Sequence, residues 1–237
     1  MNAEIRDSIY SDFESYMTDL LDRDSAYFNK NIHASSLTNC PRQVVYSYFD
    51  FPKKPWTLAE MIMLEFGNIA HGLVRRFLNK SDSFEVVSHE QRLTRYMPKG
   101  FAGKCDTIAV HKPTGALILV DVKSVRPNAF KYGQLVKPSY IVQLNAYRYA
   151  AEKKLNRKFD GMFILIIDRA GSNQPALEPV EVMPDSEMEA IFAKYKDAVE
   201  RYEVGKELPP PISKADKKNA WQCGYCKYEG IVCGGAE

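Results

Sequence analysis

Residues 101–123 read FAGKCDTIAV, then HKPTG, then ALILVDVK. Two apolar runs flank a short break carrying Pro113 and Gly115, the pattern of two strands joined by a tight connection. The second run, Ala116 to Val120, is apolar throughout, as in strands buried on both faces. That burial constrains the fold more than any other stretch of the chain. Yet the run ends in Asp121 and Lys123, two charges at i and i+2 that share one face. Asp106 lies in the partner strand. With the hairpin centred between Pro113 and Thr114, Asp106 falls opposite Asp121; a slip of one residue would place them on opposite faces.

Two carboxylates side by side in a core raise each other's pKa unless a cation lies between them. A divalent metal is one neutraliser, and hard oxygen ligands suit Mg²⁺ or Mn²⁺. Lys123 would then stand near a metal-bound water. The alternative is a structural ion pair of Lys123 with Asp121 or Asp106 at a sheet edge. Spacing alone leaves both open.

Around this hairpin the chain alternates helix and strand patterns. Residues 3–22 place Ile5, Ile9, Phe13, Tyr16 and Leu20 at amphipathic helical spacing, with Tyr10, Met17 and Leu21 beside them. Ser35 or Ser36 is a candidate cap for a second helix running through Cys40 to about Phe49. Thr57-Leu58-Ala59-Glu60 has the form of a capping box and opens a helix to about Asn79, whose apolar stripe is Ile62, Phe66, Ile69, Leu73 and Phe77. His71 lies on the adjacent stripe with Leu64, Gly67, Val74 and Leu78; a lone His there is a ligand or simply a core or surface residue. Strands are expected at 84–95, 101–110, 160–168 and about 178–183. Glu90 is either a third carboxylate or a solvated strand residue. Cys105 points away from Asp106 and reads as an inert buried thiol.

Residues 124–138 read as a loop carrying Arg126, Lys131 and Lys137, which either contact phosphates or are solvated. A helix from about Ser139 to Lys153 puts Gln143 and Tyr147 at i and i+4 on one face. A last long helix runs from Asp185 to about Val204, and Pro209-Pro210-Pro211 then starts a stiff linker.

Five cysteines occur: Cys40, Cys105, Cys223, Cys226 and Cys233. The last three form C-x2-C-x6-C in a short tail with no core of its own, an arrangement that argues for a metal. Cys40 is the better fourth ligand, since Cys105 sits in a strand beside Asp106. Structural zinc usually takes two close Cys/His pairs, and one is present; a one-plus-three split also suits a cubane iron–sulfur cluster. Iron–sulfur, zinc and no metal stay open on chemistry alone, with disulfides a weaker choice.

His71 on a helix, Asp106 in GKCD, Asp121-Val122-Lys123 and Gln143-x-x-x-Tyr147 resemble, in order, the RecB-like branch of the PD-(D/E)XK nucleases. One early cysteine and three late ones are similar to the iron–sulfur RecB-like exonucleases, which include CRISPR-associated members, phage-encoded relatives and the AddB nuclease domain. The resemblance spans Cys40 to Cys233. It implies an α/β fold, a restriction-endonuclease-like mixed sheet flanked by helices, with the cysteine tail stapled to an N-terminal helix by a metal cluster. It implies one nuclease domain over residues 1–237, in which 34–56 and 205–237 form the cluster subdomain. It implies that His71, Asp106, Asp121 and the Val122 carbonyl bind catalytic Mg²⁺ or Mn²⁺. Lys123 would position the attacking water, Gln143 and Tyr147 would arrange the site and the strand, and Cys40, Cys223, Cys226 and Cys233 would hold a 4Fe–4S cluster. Asp121 stands where Glu is often found, a variant the motif allows.

The implied activity is metal-dependent hydrolysis of DNA, single strands being the expected substrate, in recombination, repair or CRISPR-type processing. The competing class is a non-catalytic iron–sulfur or zinc DNA-binding or scaffold protein. No GxxxxGK[ST] occurs, so such a nuclease would act alone or beside a separate helicase, recombinase or CRISPR adaptation protein. A net charge of +2 neither requires nor excludes nucleic acid. No apolar run reaches transmembrane length and the N-terminus lacks a signal-peptide pattern, so a cytoplasmic protein without membrane contact is expected.

Overall fold

The computed structural model describes residues 2–25, 30–133 and 135–234. Met1 and residues 235–237, the ends of the expected single domain, lie outside the described residues. Helix α1 is Asn2–Ser25, strand β1 Ile32–His33, helix α2 Pro41–Tyr48 and helix α3 Leu58–Asn79. Strands β2 (Phe84–Arg92), β3 (Phe101–Ala102), β4 (Lys104–His111) and β5 (Ala116–Val125) follow, then helices α4 (Pro127–Lys131) and α5 (Pro138–Leu155). Strands β6 (Gly161–Asp168) and β7 (Ala176–Pro179), helix α6 (Asp185–Gly205), the short α7 (Ile212–Ala215) and a 3₁₀ segment, Lys217–Tyr225, complete the chain.

The principal sheet has the order β2-β4-β5-β6-β7. It is mixed: β5 and β6 pair in parallel, and the other neighbours are antiparallel. Strand β5 is central, as its apolar run requires. Leu117 and Leu119 enter the main core with α2, α5 and α6. Val122 packs on the opposite face against Ala70, Val74 and Leu78 of α3. The sheet is thus covered by helices on both sides, the mixed α/β architecture expected. Among the described residues no helix is long and apolar enough to cross a membrane.

Several local expectations change. Ser35 and Ser36 lie in a 3₁₀ turn rather than capping a helix, and α2 begins at Pro41, with Cys40 as its N-cap residue. Proline is preorganised for the first helical position, where its missing N–H costs nothing. For the same reason Pro127 starts α4 inside the stretch read as loop. Strand β7 ends at Pro179 instead of reaching 183, because proline brings no N–H to a ladder.

The capping box of α3 forms: Glu60 N–H donates to Thr57 Oγ1 and Thr57 N–H to Glu60 Oε2. The face that α3 buries is not the bulky one. Phe66, Ile69, Leu73 and Phe77 are exposed, whereas Ala70, Val74 and Leu78 meet the sheet. Small residues at Gly67 and Ala70 let the helix axis approach β5; a Cβ at Gly67 would stand 3.9 Å from Ser124 Oγ. Helix α1 also forms, yet Ile5, Ile9, Phe13 and Tyr16 are exposed and Met17 is buried. Leu21 lies among the side chains outside the described residues.

Candidate active site

The turn-proximal pairing of β4 with β5 places Thr107 opposite Val120 and His111 opposite Ala116. That register, extended one step, sets Asp106 opposite Asp121. The two strands part there, and the Val122 N–H donates to Asp106 Oδ2 at 2.7 Å. A side-chain carboxylate thus takes a backbone donor next to the bond the ladder gives up, which fixes Asp106 beside Asp121. From above, α3 brings His71, whose Nδ1 is 3.4 Å from Asp106 Oδ1. That carboxylate raises the pKa of the His71 ring against the opposing effect of burial.

Asp121 is 1% exposed. Lys123 Nζ stands 2.9 Å from its Oδ2, and Oδ1 has no hydrogen-bond partner among the described residues. Burial pushes the Asp121 carboxyl up to about 6; Lys123 opposes the shift and Asp106 adds to it. Lys123 Nζ also donates to Gln143 Oε1 at 2.9 Å. Gln143 Nε2 in turn donates to the Tyr147 hydroxyl at 2.8 Å. Burial drives that phenol far above its ordinary pKa, so Tyr147 serves as a neutral hydrogen-bonding group. The i, i+4 pair on α5 therefore meets β5 through one chain of hydrogen bonds.

His71, Asp106, Asp121, Lys123, Gln143 and Tyr147 thus converge from α3, β4, β5 and α5. Tyr140 joins them, its ring centroid 5.2 Å from Lys123 Nζ. It stands three residues before Gln143 on the same helix, the spacing that could have found it. Glu90 lies apart, with a backbone φ of 47°, paired with Arg75 at 3.0 Å and Lys104 at 3.3 Å. Cys105 is buried in the main core, and burial pushes its thiol to about 12.

The other four cysteines line one cavity, together with Tyr46 and Gln222. The tail is pinned there by polar contacts of its own. Cys40 N–H donates to Gln222 Oε1 at 3.0 Å, Gln222 Nε2 to the Thr38 carbonyl at 3.2 Å, and the Tyr46 hydroxyl to the Val232 carbonyl at 3.0 Å. Burial raises the Cys226 thiol pKa, and Cys40 and Cys233 add to the shift. Among the described residues no group of three or more His, Cys, Asp and Glu side chains is drawn together tightly enough to hold a metal ion as it stands. At β5 the side chains are instead engaged pairwise, His71 with Asp106 and Asp121 with Lys123.

The sequence model of the PD-(D/E)XK nuclease superfamily matches residues 70–234, a stretch opening beside His71 and closing just after Cys233. The chain belongs to this superfamily. It is therefore a nuclease-superfamily protein, and PD-(D/E)XK nucleases generally use Mg²⁺ or Mn²⁺. No curated protein matches the chain. Among solved structures, it is similar to the alkaline exonuclease LHK-Exo from Laribacter hongkongensis, with 13% identity and a TM-score of 0.49 over 80% of this chain and 95% of that one. It is likewise similar to LHK-Exo in complex with dAMP, with 15% identity and a TM-score of 0.49 over 81% and 97% of the two chains.

Proposed function

We propose that this PD-(D/E)XK protein is a metal-dependent DNA exonuclease that hydrolyses phosphodiester bonds and prefers single strands. The observation that carries the reading is Asp121: a carboxylate buried within the central strand, beside a second carboxylate, whose Oδ1 has no hydrogen-bond partner among the described residues and whose Oδ2 meets Lys123 Nζ at 2.9 Å. A buried carboxylate with one oxygen unpartnered, next to Asp106 and within the field of His71, suits a divalent cation. His71, Asp106, Asp121 and the Val122 carbonyl are its ligands in this reading, and the imidazole favours Mn²⁺ over Mg²⁺. The ion supplies Lewis acidity toward the scissile phosphate.

The chain's own residues do the rest. Lys123 presents its ammonium to the attacking water and to charge developing on the phosphoryl oxygens. Gln143 holds that ammonium by its carbonyl, and Tyr147 holds Gln143, so the lysine is oriented before substrate arrives. Asp106 fixes the ring of His71. Exposed aromatic side chains are available to stack the bases of a single strand.

A 4Fe–4S cluster held by Cys40, Cys223, Cys226 and Cys233 belongs to the same proposal. Support comes from the four thiols lining one cavity; the corners of a cubane set its cysteines wider apart than a single ion does. Residues 34–56 and 205–237 would form its subdomain within one nuclease domain, with a structural task, since hydrolysis needs no redox step. A helicase, recombinase or CRISPR adaptation protein would supply the motor or the context.

The test is degradation of end-labelled single-stranded and duplex DNA with Mn²⁺ or Mg²⁺, wild type beside Lys123→Ala. Metal-dependent cleavage by wild type and a nearly inactive variant that still binds DNA are expected. If cluster-loaded wild type cuts nothing with either metal, or the variant cuts equally well, the non-catalytic DNA-binding reading replaces this one. A brown protein absorbing near roughly 400 nm after anaerobic purification is expected for the cluster; a colourless, zinc-bearing protein would refute it.

A further inference from the structure

Beside the candidate active site lies a pair of arginines that the nuclease chemistry does not use. Strands β5 and β6 run in parallel, with Val125 opposite Asp168, and the ladder closes with Arg169 N–H donating to the Val125 carbonyl at 3.0 Å. The next residue on each strand end is therefore an arginine: Arg126 on one, Arg169 on the other. Arg126 is exposed and follows Lys123 by three residues.

Arg169 is poorly partnered for a half-buried cation. Its Nε is buried and, among the described residues, has no hydrogen-bond partner. Its Nη1 reaches the Met63 thioether at 3.3 Å, a weak acceptor. The neighbouring Asp168 carboxylate is turned elsewhere: it accepts hydrogen bonds from the backbone N–H groups of Ala170, Ser172 and Asn173 and from Asn173 Nδ2. Burial, then the charge of Arg126, disfavours the Arg169 cation, while Tyr140 and Asp168 offset part of that. Neither arginine forms an ion pair among the described residues. A guanidinium desolvated without an anion is costly, and a second cation beside it adds to the cost. A phosphate oxygen would satisfy both groups.

The location suits a strand. Met63 and His71 are eight residues apart on α3, about 12 Å along the helix. Tyr140 acts on both Arg169 and Lys123: it favours the Arg169 cation, and its ring centroid is 5.2 Å from Lys123 Nζ and 5.7 Å from Lys137 Nζ. We infer that Arg126 and Arg169 form a phosphate site that grips the DNA strand a short distance from the scissile bond. This rests on the nuclease reading and extends it to where the substrate backbone runs.

The test uses the full chain with its cluster, in EDTA so that nothing is cut, and single-stranded oligonucleotides carrying one neutral methylphosphonate at successive linkages. Arg169→Gln and Arg126→Gln should each weaken binding about tenfold at low salt and flatten the slope of log affinity against log salt by about 0.7. One methylphosphonate position should weaken wild type but leave Arg169→Gln indifferent. With metal, both variants should raise KM and keep kcat. Arg201→Gln, at an exposed arginine of α6 already paired with Asp197 and Glu207, should bind as wild type. The inference is overturned if wild type cuts DNA while both variants keep its KM and salt slope, or if no linkage loses its effect in the variants; the nuclease reading then stands. If wild type neither binds nor cuts DNA, both fall. Should Arg169→Gln fail to fold, the exposed Arg126→Gln decides the matter.

Discussion

Helix α5 carries Gln143 and Tyr147, and Arg148 anchors it. Arg148 is 2% exposed. Its Nη1 donates to Glu152 Oε2 at 3.0 Å, and its Nη2 to the Met183 carbonyl at 3.0 Å and to Asp185 Oδ1 at 2.6 Å. Arg148 thereby ties α5 to the start of α6. Replacement by methionine keeps most of the volume and removes the charge. Glu152, 8% exposed, would keep only Lys158 Nζ at 2.7 Å and the Phe159 N–H at 3.1 Å, and that lysine is 74% exposed. Breaking a buried pair from one side typically costs about 3–5 kcal/mol. In a chain of this size that lowers Tm by about 6–20 °C. Urea unfolding followed by circular dichroism measures the loss. The double variant Arg148→Met/Glu152→Gln should recover a good part of it, because the stranded charge is gone. A loss below about 1 kcal/mol, or a double variant no better than the single, would refute the argument. The pH dependence follows. Arg148 holds the Asp185 carboxyl below its ordinary 3.8. A depressed carboxyl contributes stability above its unfolded pKa and loses it as pH falls through the folded value. The stability gap between wild type and Arg148→Met should therefore narrow below about pH 4, modestly, since the Asp185 side chain is 49% exposed.

Other outcomes are expected. A Cβ at Gly103 would stand 2.8 Å from Tyr147 Cε1 and 2.5 Å from Met97 Cε, so Gly103→Ala should displace the Tyr147 ring, cost about 1–3 kcal/mol and lower kcat about ten- to hundredfold; unchanged kinetics would show that Tyr147 does not support Gln143 and Lys123. Thr57→Ala removes one half of the α3 capping box and should cost about 1 kcal/mol in thermal denaturation. In native metal-free protein Cys105, 1% exposed with its thiol near 12, should resist iodoacetamide while Cys223 is modified, read by peptide mass; labelling of Cys105 would mean that the sheet opens. Cys226→Ser should abolish the absorbance near roughly 400 nm and release the tail to protease; a retained spectrum would exclude Cys226 as a ligand.

Much of this architecture is legible in the residues. The apolar run of β5 demands a central strand, and the Pro113–Gly115 break sets a register that brings Asp106 to Asp121. The Thr57 box starts α3, and Gln143 and Tyr147 share a helix face by spacing alone. These follow from local rules, a period of two in strands and 3.6 in helices, which a sequence displays directly. Which face of α3 meets the sheet is not local. The bulky stripe had the stronger hydrophobic signal, but close approach of helix to strand selects the small residues Gly67 and Ala70 and leaves Phe66 and Phe77 exposed. Nor could spacing reveal that Arg148 is buried or that Arg169 ends beside Arg126, because each depends on contacts between segments far apart in the chain. The sequence by itself determined the elements, the central strand and the identities of the candidate site residues. The tertiary structure decided which of them are desolvated together, and with it the pKa of Asp121 and the environment of Lys123, since electrostatics depends on distance and burial in space.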